Sequence, residues 1–414
     1  MNKTSLRLPI IIFLLSAGFY FYQFLVQVSL GVVSDSLMQD LSLKATMLGV
    51  ISSAFYYLYV ILQLPVGFVL DRYSTRKILF GTMLLFSVSI FIFAVSHNIL
   101  ILVLMRIFMG AFSAFAFVGA LVVINNLFPL RFYSLMAGIT EMMGALGAIF
   151  GTALFAMATK YYPWREVFVV LSILGVILAL LIRYFMRDER NHHQNKLQQS
   201  ISLLSQITYF KSVLANKQIV AIAMYAFLLW APVLIFASLW GIPFLDSNHQ
   251  LNLAQAASAI AFIWLGIAIG SPLLGWLSEK IKLRRVLLIV GALIGLIGSA
   301  IVIYMDNLSW FAISGWLFLI GLSAGVQTIS FAITRDNSEK SVRGVATAFV
   351  NMAAVLSGIL LQPLAGILLD LHAPHTKVYS SADYRFALVI IPACYILALI
   401  TSIFFIKETR CQCK

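Results

Sequence analysis

Twelve apolar segments follow one another along the chain and leave little sequence between them. A helix needs about 20 apolar residues to cross the hydrocarbon core of a membrane. The segments, numbered as spans 1 to 12, cover approximately residues 8–33, 45–70, 77–96, 99–128, 134–158, 165–187, 216–242, 253–278, 285–304, 308–333, 343–369 and 384–407. Lipid offers no hydrogen-bond partner, so each crossing is predicted to be a helix. The sequence therefore predicts an all-α integral membrane protein with twelve transmembrane helices.

The composition agrees with a membrane protein, and the placement of charge predicts its orientation. Charged residues make up only 10% of the 414 residues, whereas soluble domains carry about a quarter. With the N-terminus placed in the cytoplasm, 22 of the 28 Lys and Arg residues fall in cytoplasmic segments and 5 in outer segments. The remaining one, Arg106, lies inside a span. This asymmetry predicts a multi-pass protein of the cell inner membrane with both termini cytoplasmic, and it disfavours a nucleic-acid interface.

A charged loop occurs twice, 208 residues apart, between spans 2 and 3 and between spans 8 and 9. Gly67 to Lys77 reads GFVLDRYSTRK, and Gly275 to Arg285 reads GWLSEKIKLRR. An internal repeat at half the chain length predicts a transporter built from two related halves. We predict an N-terminal six-helix bundle over residues 1–187, a cytoplasmic linker over 188–215 and a C-terminal six-helix bundle over 216–414.

The repeated loop resembles the G-x-x-x-D-R-x-G-R-K-R motif of the major facilitator superfamily, although Ser74, Thr75 and Lys282 depart from it. The resemblance implies twelve helices in two pseudo-symmetric halves that transport a solute by alternating access. It also implies that the loops form a conformational gate, whose predicted residues are Gly67, Asp71, Arg72, Arg76, Gly275, Glu279 and Arg284. The carboxylates are expected to accept hydrogen bonds from helix N-termini. For the basic residues, the alternative that they only fix topology stays open.

Polar side chains recur at helical spacing inside several spans, although polar groups avoid lipid. Such a stripe points to a water-filled cavity or to a partner helix. Spans 1 and 2 each carry one, and Trp264 of span 8 lies 208 residues after Tyr56 of span 2. The predicted solute-binding residues are Tyr20, Gln23, Gln27, Tyr56, Tyr59, Arg106, Trp230, Trp264, Gln327 and Asn351. Hydrogen bonding between helices is the alternative for each of them. Pro232 is expected to disturb the helix of span 7.

Two charged residues lie deep inside predicted spans. Arg106 begins RIFMG, which resembles the R-x-x-x-G pattern of the superfamily and implies a role in substrate binding or proton coupling. Glu141 is predicted to carry the proton, because burial without a paired cation favours the protonated form of a carboxylate. The two residues differ in depth by about 10 Å at 1.5 Å per residue, so a direct pair is not expected. Structural contacts, such as Glu141 with Arg131 or Arg106 with a backbone carbonyl, stay open.

We therefore expect a secondary transporter that imports a small polar solute, such as an organic acid, an amino acid or a short peptide, together with protons. The stretch FYFYQFLVQVSLGVVSDSLMQDLSL near the start is similar to bacterial metabolite and organic-anion carriers. An exporter of amphipathic compounds, such as drugs or a siderophore, and a transporter-like solute sensor are the alternatives. Motifs for phosphate binding, metal binding or nucleophilic catalysis are not evident, so neither an enzyme nor a cofactor is expected. The expected partners are the solute, protons and the lipid bilayer. The protein is expected to be a monomer.

Overall fold

The computed structural model describes residues 7–63, 65–128, 133–186, 210–339, 342–374 and 378–409. Within these ranges the chain forms helices joined by short turns, without a β-strand. Most of the predicted linker lies outside them. Twelve helices are long and apolar enough to cross a membrane, and they confirm the predicted all-α fold. The spans are Leu8–Val32, Ala45–Leu62, Thr75–Val95, Ile99–Leu127, Met136–Thr159, Trp164–Phe185, Lys217–His249, Leu253–Ile281, Arg284–Tyr304, Trp310–Asp336, Arg343–His372 and Ser381–Phe405.

Several spans depart from a single regular α-helix, and shorter helices accompany them. Span 2 ends at Leu62 and is followed by a separate helix, Pro65–Arg72. This helix begins with proline, which suits the first position of a helix because the N–H that it lacks would have no partner there. Ser34–Asp40 is a short helix after span 1. Span 10 is divided into Trp310–Gly325 and Gln327–Asp336, and span 12 into Ser381–Ala387, Ile390–Ile400 and a π-helical end, Thr401–Phe405.

Span 7 continues through Pro232 but changes its helical geometry there. Lys217–Pro232 is α-helical, Val233–Trp240 is π-helical, and Gly241–His249 is α-helical again. Proline removes one backbone donor, and a wider π turn is one way in which a helix accommodates such a disturbance. The disturbance expected at this residue is therefore a change of helix type within a continuous span.

Glycines bring pairs of spans into backbone contact inside each half, where the first half denotes spans 1–6 and the second half spans 7–12. A Cβ atom at Gly110 of span 4 would lie 1.7 Å from the carbonyl oxygen of Phe55 in span 2. At Gly321 of span 10 it would lie 2.1 Å from the carbonyl oxygen of Ile263 in span 8. Only glycine permits these approaches. The polar stripe of span 2 is thereby held directly against span 4.

The two halves meet most closely at one end of the bundle, which we call the far side. It is the end at which span 1 stops at Val32 and span 2 begins. The opposite end, where span 1 begins, is the N-terminal side. A Cβ atom at Gly49 of span 2 would lie 2.7 Å from the Gln362 carbonyl oxygen of span 11, and one at Gly31 would lie 2.8 Å from the Ser238 carbonyl oxygen of span 7. The far side is therefore closed.

A second structural repeat lies on the far side, and the sequence patterns did not predict it. Arg165, at the start of span 6, forms an ion pair with Asp40 and donates to the Ala94 and Ser96 carbonyl oxygens, both at 2.7 Å. Arg385, at the start of span 12, donates to Asn248 Oδ1 at 2.9 Å and pairs with Asp306. Asp40 and Asn248 are 208 residues apart. Each half thus has one arginine that ties its first, third and sixth spans together.

Candidate functional site

The predicted polar stripes of spans 1 and 2 meet in a buried chain of hydrogen bonds. Gln23 Nε2 donates to Gln27 Oε1 at 3.1 Å, and Gln27 Nε2 donates to the Tyr56 hydroxyl at 3.1 Å. The Tyr56 hydroxyl also interacts with Ser238 of span 7 and Gln362 of span 11. All five residues are buried. The stripes therefore form a polar cluster in which both halves take part.

Gln362 of span 11 contacts spans 2 and 7 in this cluster, although no sequence pattern predicted a role for it. Its Nε2 donates to the Leu234 carbonyl oxygen at 2.7 Å, within the π-helical segment of span 7. The backbone carbonyl oxygen of Gln362 accepts a hydrogen bond from Trp240 Nε1 at 3.3 Å. A π-helical segment is frequent at functional sites, and here a side chain from span 11 bonds to one of its carbonyls. These contacts fix spans 7 and 11 to each other at the place where both approach Tyr56.

Arg106 is buried beside the polar cluster with few partners for its charge. It is 1% exposed, and its Nη2 donates to the Ser52 carbonyl oxygen at 3.5 Å, the limit of a hydrogen bond. The guanidinium lies 5.0 Å from the centre of the Phe55 ring. Its Nε has no hydrogen-bond partner, and no carboxylate in the described ranges forms an ion pair with it. A buried cation so poorly satisfied is costly and favours binding of a polar or anionic group.

Glu141 lies on the face of span 5 that is turned toward spans 1 and 2. The glycine one turn further along sets this orientation, because a Cβ atom at Gly144 would lie 2.6 Å from the Tyr20 ring of span 1. The Glu141 carboxylate interacts with Tyr20 of span 1 and is an electrostatic neighbour of Tyr59 in span 2. The Glu141 side chain is nevertheless not fully covered by protein atoms. The contact considered with Arg131 falls outside the described residues.

The predicted residues of the second half are more dispersed. Trp264 is buried with its ring centre 5.9 Å from that of Phe24 in span 1. Gln327, buried at the division of span 10, has no partner in the described part of the chain for either amide atom. Trp230 is half-buried. Asn351 Nδ2 lies 3.5 Å from Gln63 Oε1 of span 2, a weak contact between the halves nearer the N-terminal side.

The first of the repeated charged loops is anchored within its own half. Arg76 donates from Nε at 3.0 Å and from Nη2 at 2.6 Å to the Arg183 carbonyl oxygen at the end of span 6. Gly67 has no atom close to its Cβ position. The side chains of Asp71 and Arg72 lie outside the described part of the structure. The gate assigned to this loop stays a prediction.

The second loop is anchored to the end of the chain by residues that the sequence analysis missed. Arg284 forms a buried ion pair with Asp336 at the end of span 10. Glu408 accepts from the backbone amides of Arg284 at 3.0 Å and Arg285 at 2.8 Å, at the start of span 9. This is the contact expected of Glu279, which is exposed instead. Gly275 has only Thr328 Oγ1 near its Cβ position, at 3.9 Å.

Twelve apolar spans, a duplicated loop and a polar interior shared by two halves define a multi-pass membrane transporter. The chain belongs to the Major Facilitator Superfamily, whose family model matches residues 10–361 and 235–410. The expected family is thereby confirmed. Its relatives are transporters, and the chain is a transporter and not an enzyme.

Two curated relatives from Bacillus subtilis (strain 168) illustrate the similarity. The chain is 24% identical over 378 residues to the hexuronate transporter, with 88% of each chain covered. It is 23% identical over 370 residues to a probable galactarate/D-glucarate transporter, with 80% of each covered.

Solved structures of very different sequence share the fold. A bacterial homolog of the human lysosomal transporter Spinster, in an inward-facing and unoccupied conformation, has a TM-score of 0.80 at 16% identity over 99% of this chain and 98% of that one. A D-xylose-proton symporter has a TM-score of 0.75 at 14% identity over the whole of both chains.

Proposed function

We propose that this transporter imports a small organic anion of the sugar-acid type together with protons, by alternating access. The observation that carries the proposal is Arg106, a buried cation that makes one weak hydrogen bond within the described part of the chain and lies beside a cluster of neutral amide and hydroxyl groups. A carboxylate solute would supply the missing counter-charge, and its hydroxyl groups would bind to side chains such as Gln23 and Gln27. The names of the two Bacillus subtilis relatives, both transporters of sugar acids, support this solute class.

Glu141 is proposed as the proton carrier. It lies on the face of span 5 that is turned toward spans 1 and 2, it is not fully covered by protein atoms, and it interacts with Tyr20. We expect water in the open pathway to exchange protons with it. A proton taken up with the anion offsets the negative charge of the solute during transport. Arg106 and Glu141 lie on different spans without a mutual ion pair in the described ranges, so each can respond to its own ligand.

The direction of transport and the orientation are part of the same proposal. We place the N-terminal side in the cytoplasm of the cell inner membrane, because 22 of the 28 Lys and Arg residues then lie on that side. The conformation closed on the far side would then open toward the cytoplasm. Solute taken from outside would be released through the N-terminal side.

The test is uptake into proteoliposomes of hexuronates and aldarates, with amino acids and dipeptides as the comparison solutes, with and without an inward proton gradient. Wild type is compared with Glu141→Gln, with Arg106→Gln and with Glu166→Gln. The last removes an exposed carboxylate at the start of span 6 and serves as the matched control.

We expect sugar acids to accumulate only with the gradient. Glu141→Gln should lose accumulation but keep exchange of solute across the membrane, and the control should behave as wild type. Arg106→Gln should weaken the apparent affinity by about 10- to 100-fold, the effect of losing a hydrogen bond to a charged group.

Three results would contradict the proposal in different ways. If uptake by both wild type and Glu141→Gln is independent of the proton gradient, Glu141 has a structural role. The protein is then a uniporter or an exporter. If the transporter exchanges sugar acids no better than the comparison solutes, Arg106 does not serve as an anion-binding residue. Binding of solute without counterflow favours a sensor, because a sensor need not move solute across the bilayer.

A further inference from the structure

The start of span 2 is a helix end that lacks a cap from its own segment. Lys44 occupies the N-cap position, and its side chain makes no capping hydrogen bond. The first amides of a helix have no partner inside the helix, and Ser, Thr, Asp or Asn normally supplies one. The corresponding position of the second half, 208 residues later, is Asn252, which caps span 8 in a complete capping box with Gln255. The repeat has therefore kept this cap in one half only.

The missing cap is supplied by the other half of the protein. Asp370 Oδ2, at the end of span 11, accepts from the Thr46 backbone amide at 3.0 Å and from Thr46 Oγ1 at 2.5 Å. The Tyr379 hydroxyl accepts from the Ala45 amide at 3.1 Å and donates to Asp370 Oδ1 at 2.5 Å. A carboxylate at a helix N-terminus is favoured both by hydrogen bonding and by the helix dipole.

The place of these contacts gives them a role in the motion of the halves. They lie at the end of the closest crossing between spans 2 and 11, since a Cβ atom at Gly366 would lie 2.5 Å from the Ala45 carbonyl oxygen. We propose that Asp370 and Tyr379 form a far-side latch, which closes the far side by capping span 2 and releases that cap when the halves separate there. The latch rests on the proposed alternating access, but on neither the solute nor the proton carrier.

The two conformations differ in how span 2 ends. In the closed conformation its first amides are held by a carboxylate and a phenol of the second half. Once the far side opens, only water remains for them, because Lys44 offers no acceptor. Loss of one hydrogen bond to a charged group changes an equilibrium by about tenfold to a hundredfold. The latch therefore sets the ratio of the two conformations.

The experiment measures this ratio by double electron–electron resonance spectroscopy of the full chain, which reports the distance between two spin labels. Spin labels are attached at Tyr161→Cys and Phe311→Cys, which are exposed on the far side, one in each half. The three native cysteines are replaced by serine or alanine. Asp370→Asn, Thr46→Val and Tyr379→Phe each remove part of the latch, and Thr46→Val guards against misfolding because it changes only one donor group. Asp306→Asn is the matched control, because Asp306 pairs with Arg385 on the far side, inside the second half.

We expect each latch variant to increase the population with the longer distance by about tenfold, and the control to leave it unchanged. Lys44→Asn should also increase it, because span 2 would then keep a cap in the open conformation. The latch is refuted if Asp370→Asn and Thr46→Val both keep the distance distribution of wild type, or if Asp306→Asn shifts it equally. These distances need no solute, so loss of transport in Glu141→Gln leaves the test unaffected.

Discussion

The buried pair of Arg284 and Asp336 allows a test of whether the second charged loop is an anchor or a gate. The two side chains are 2% and 1% exposed and belong to spans 9 and 10 of the same half. Thr409 Oγ1 also donates to Asp336 at 2.8 Å. Because all these contacts stay within the second half, a rocking motion of the halves would not break them. We therefore expect the pair to stabilise the fold and not to control the conformation.

The expected loss of stability follows from the burial of the two charged side chains. Asp336→Asn leaves the Arg284 charge buried without its counter-charge, which costs about 3–5 kcal/mol of the free energy of unfolding. A loss of this size lowers the melting temperature by roughly 5–15 °C. The double variant Arg284→Met with Asp336→Leu removes both charges and should recover most of the loss, since well-packed apolar residues often replace a buried pair without cost. Asp306→Asn breaks a more exposed pair with Arg385, worth about 0–1 kcal/mol, and serves as the control.

The assay combines thermal unfolding in detergent, followed by fluorescence, with uptake at a temperature where every variant remains folded. For an anchor, the melting temperature falls with Asp336→Asn and recovers in the double variant, and uptake per folded molecule stays close to that of wild type. The reasoning is refuted if Asp336→Asn melts like wild type, or if the double variant is stable but inactive. The latter result would show that the charges themselves are needed for transport, as a gate requires.

Three further predictions concern packing, the far-side arginines and pH. Gly110→Ala would place a methyl group 1.7 Å from the Phe55 carbonyl oxygen, so the yield of folded protein in size-exclusion chromatography should fall severalfold, whereas Gly138→Ala, with open space around it, should leave it unchanged. Arg165→Gln should lower the melting temperature by several degrees, because it removes an ion pair and two hydrogen bonds to carbonyl oxygens; an unchanged value would contradict this role. Partial desolvation and the charge of Asp246, which belongs to the other half, raise the pKa of Asp35 to about 6, although Asp35 is still exposed. Separation of the halves would remove the effect of Asp246, so the closed conformation should hold the Asp35 proton more tightly. Its population should then rise as pH falls through 6, but not in Asp35→Asn.

The number of spans and the face of each polar stripe were predictable from the sequence, because both are local properties. An apolar run reveals its length, and a spacing of three or four residues reveals that Gln23 and Gln27 share one helix face. The charged loop was recognised because its second copy follows at a constant interval of 208 residues. These patterns are short-range signals or repeats at a constant interval, and neither requires knowledge of which helices touch.

The contacts between spans were not predictable, because they depend on the register of distant helices. Gln362 approaches Tyr56 from 306 positions further along the chain, and no spacing rule connects them. Glu408 was missed for a related reason, since a carboxylate after the last span looks like part of a polar tail. The closing contact of Asp370 with Thr46 was likewise hidden, because a carboxylate at the end of span 11 suggests only a solvated helix end.

The repeat preserved the framework of the two halves but not their chemistry. The far-side arginines occur in both halves, whereas the position 208 residues after Arg106 is Ser314 and that after Glu141 is Phe349. The interior charges proposed for anion and proton binding thus belong to the first half. The second half contributes neutral groups such as Gln362 and the carboxylate of the far-side latch. Changes to the first-half charges should therefore alter which ligands are bound, and changes to the latch should alter how often the far side opens. When one variant of each kind is combined in a single chain, the changes in free energy that each causes should add, because the two groups of residues share no partner.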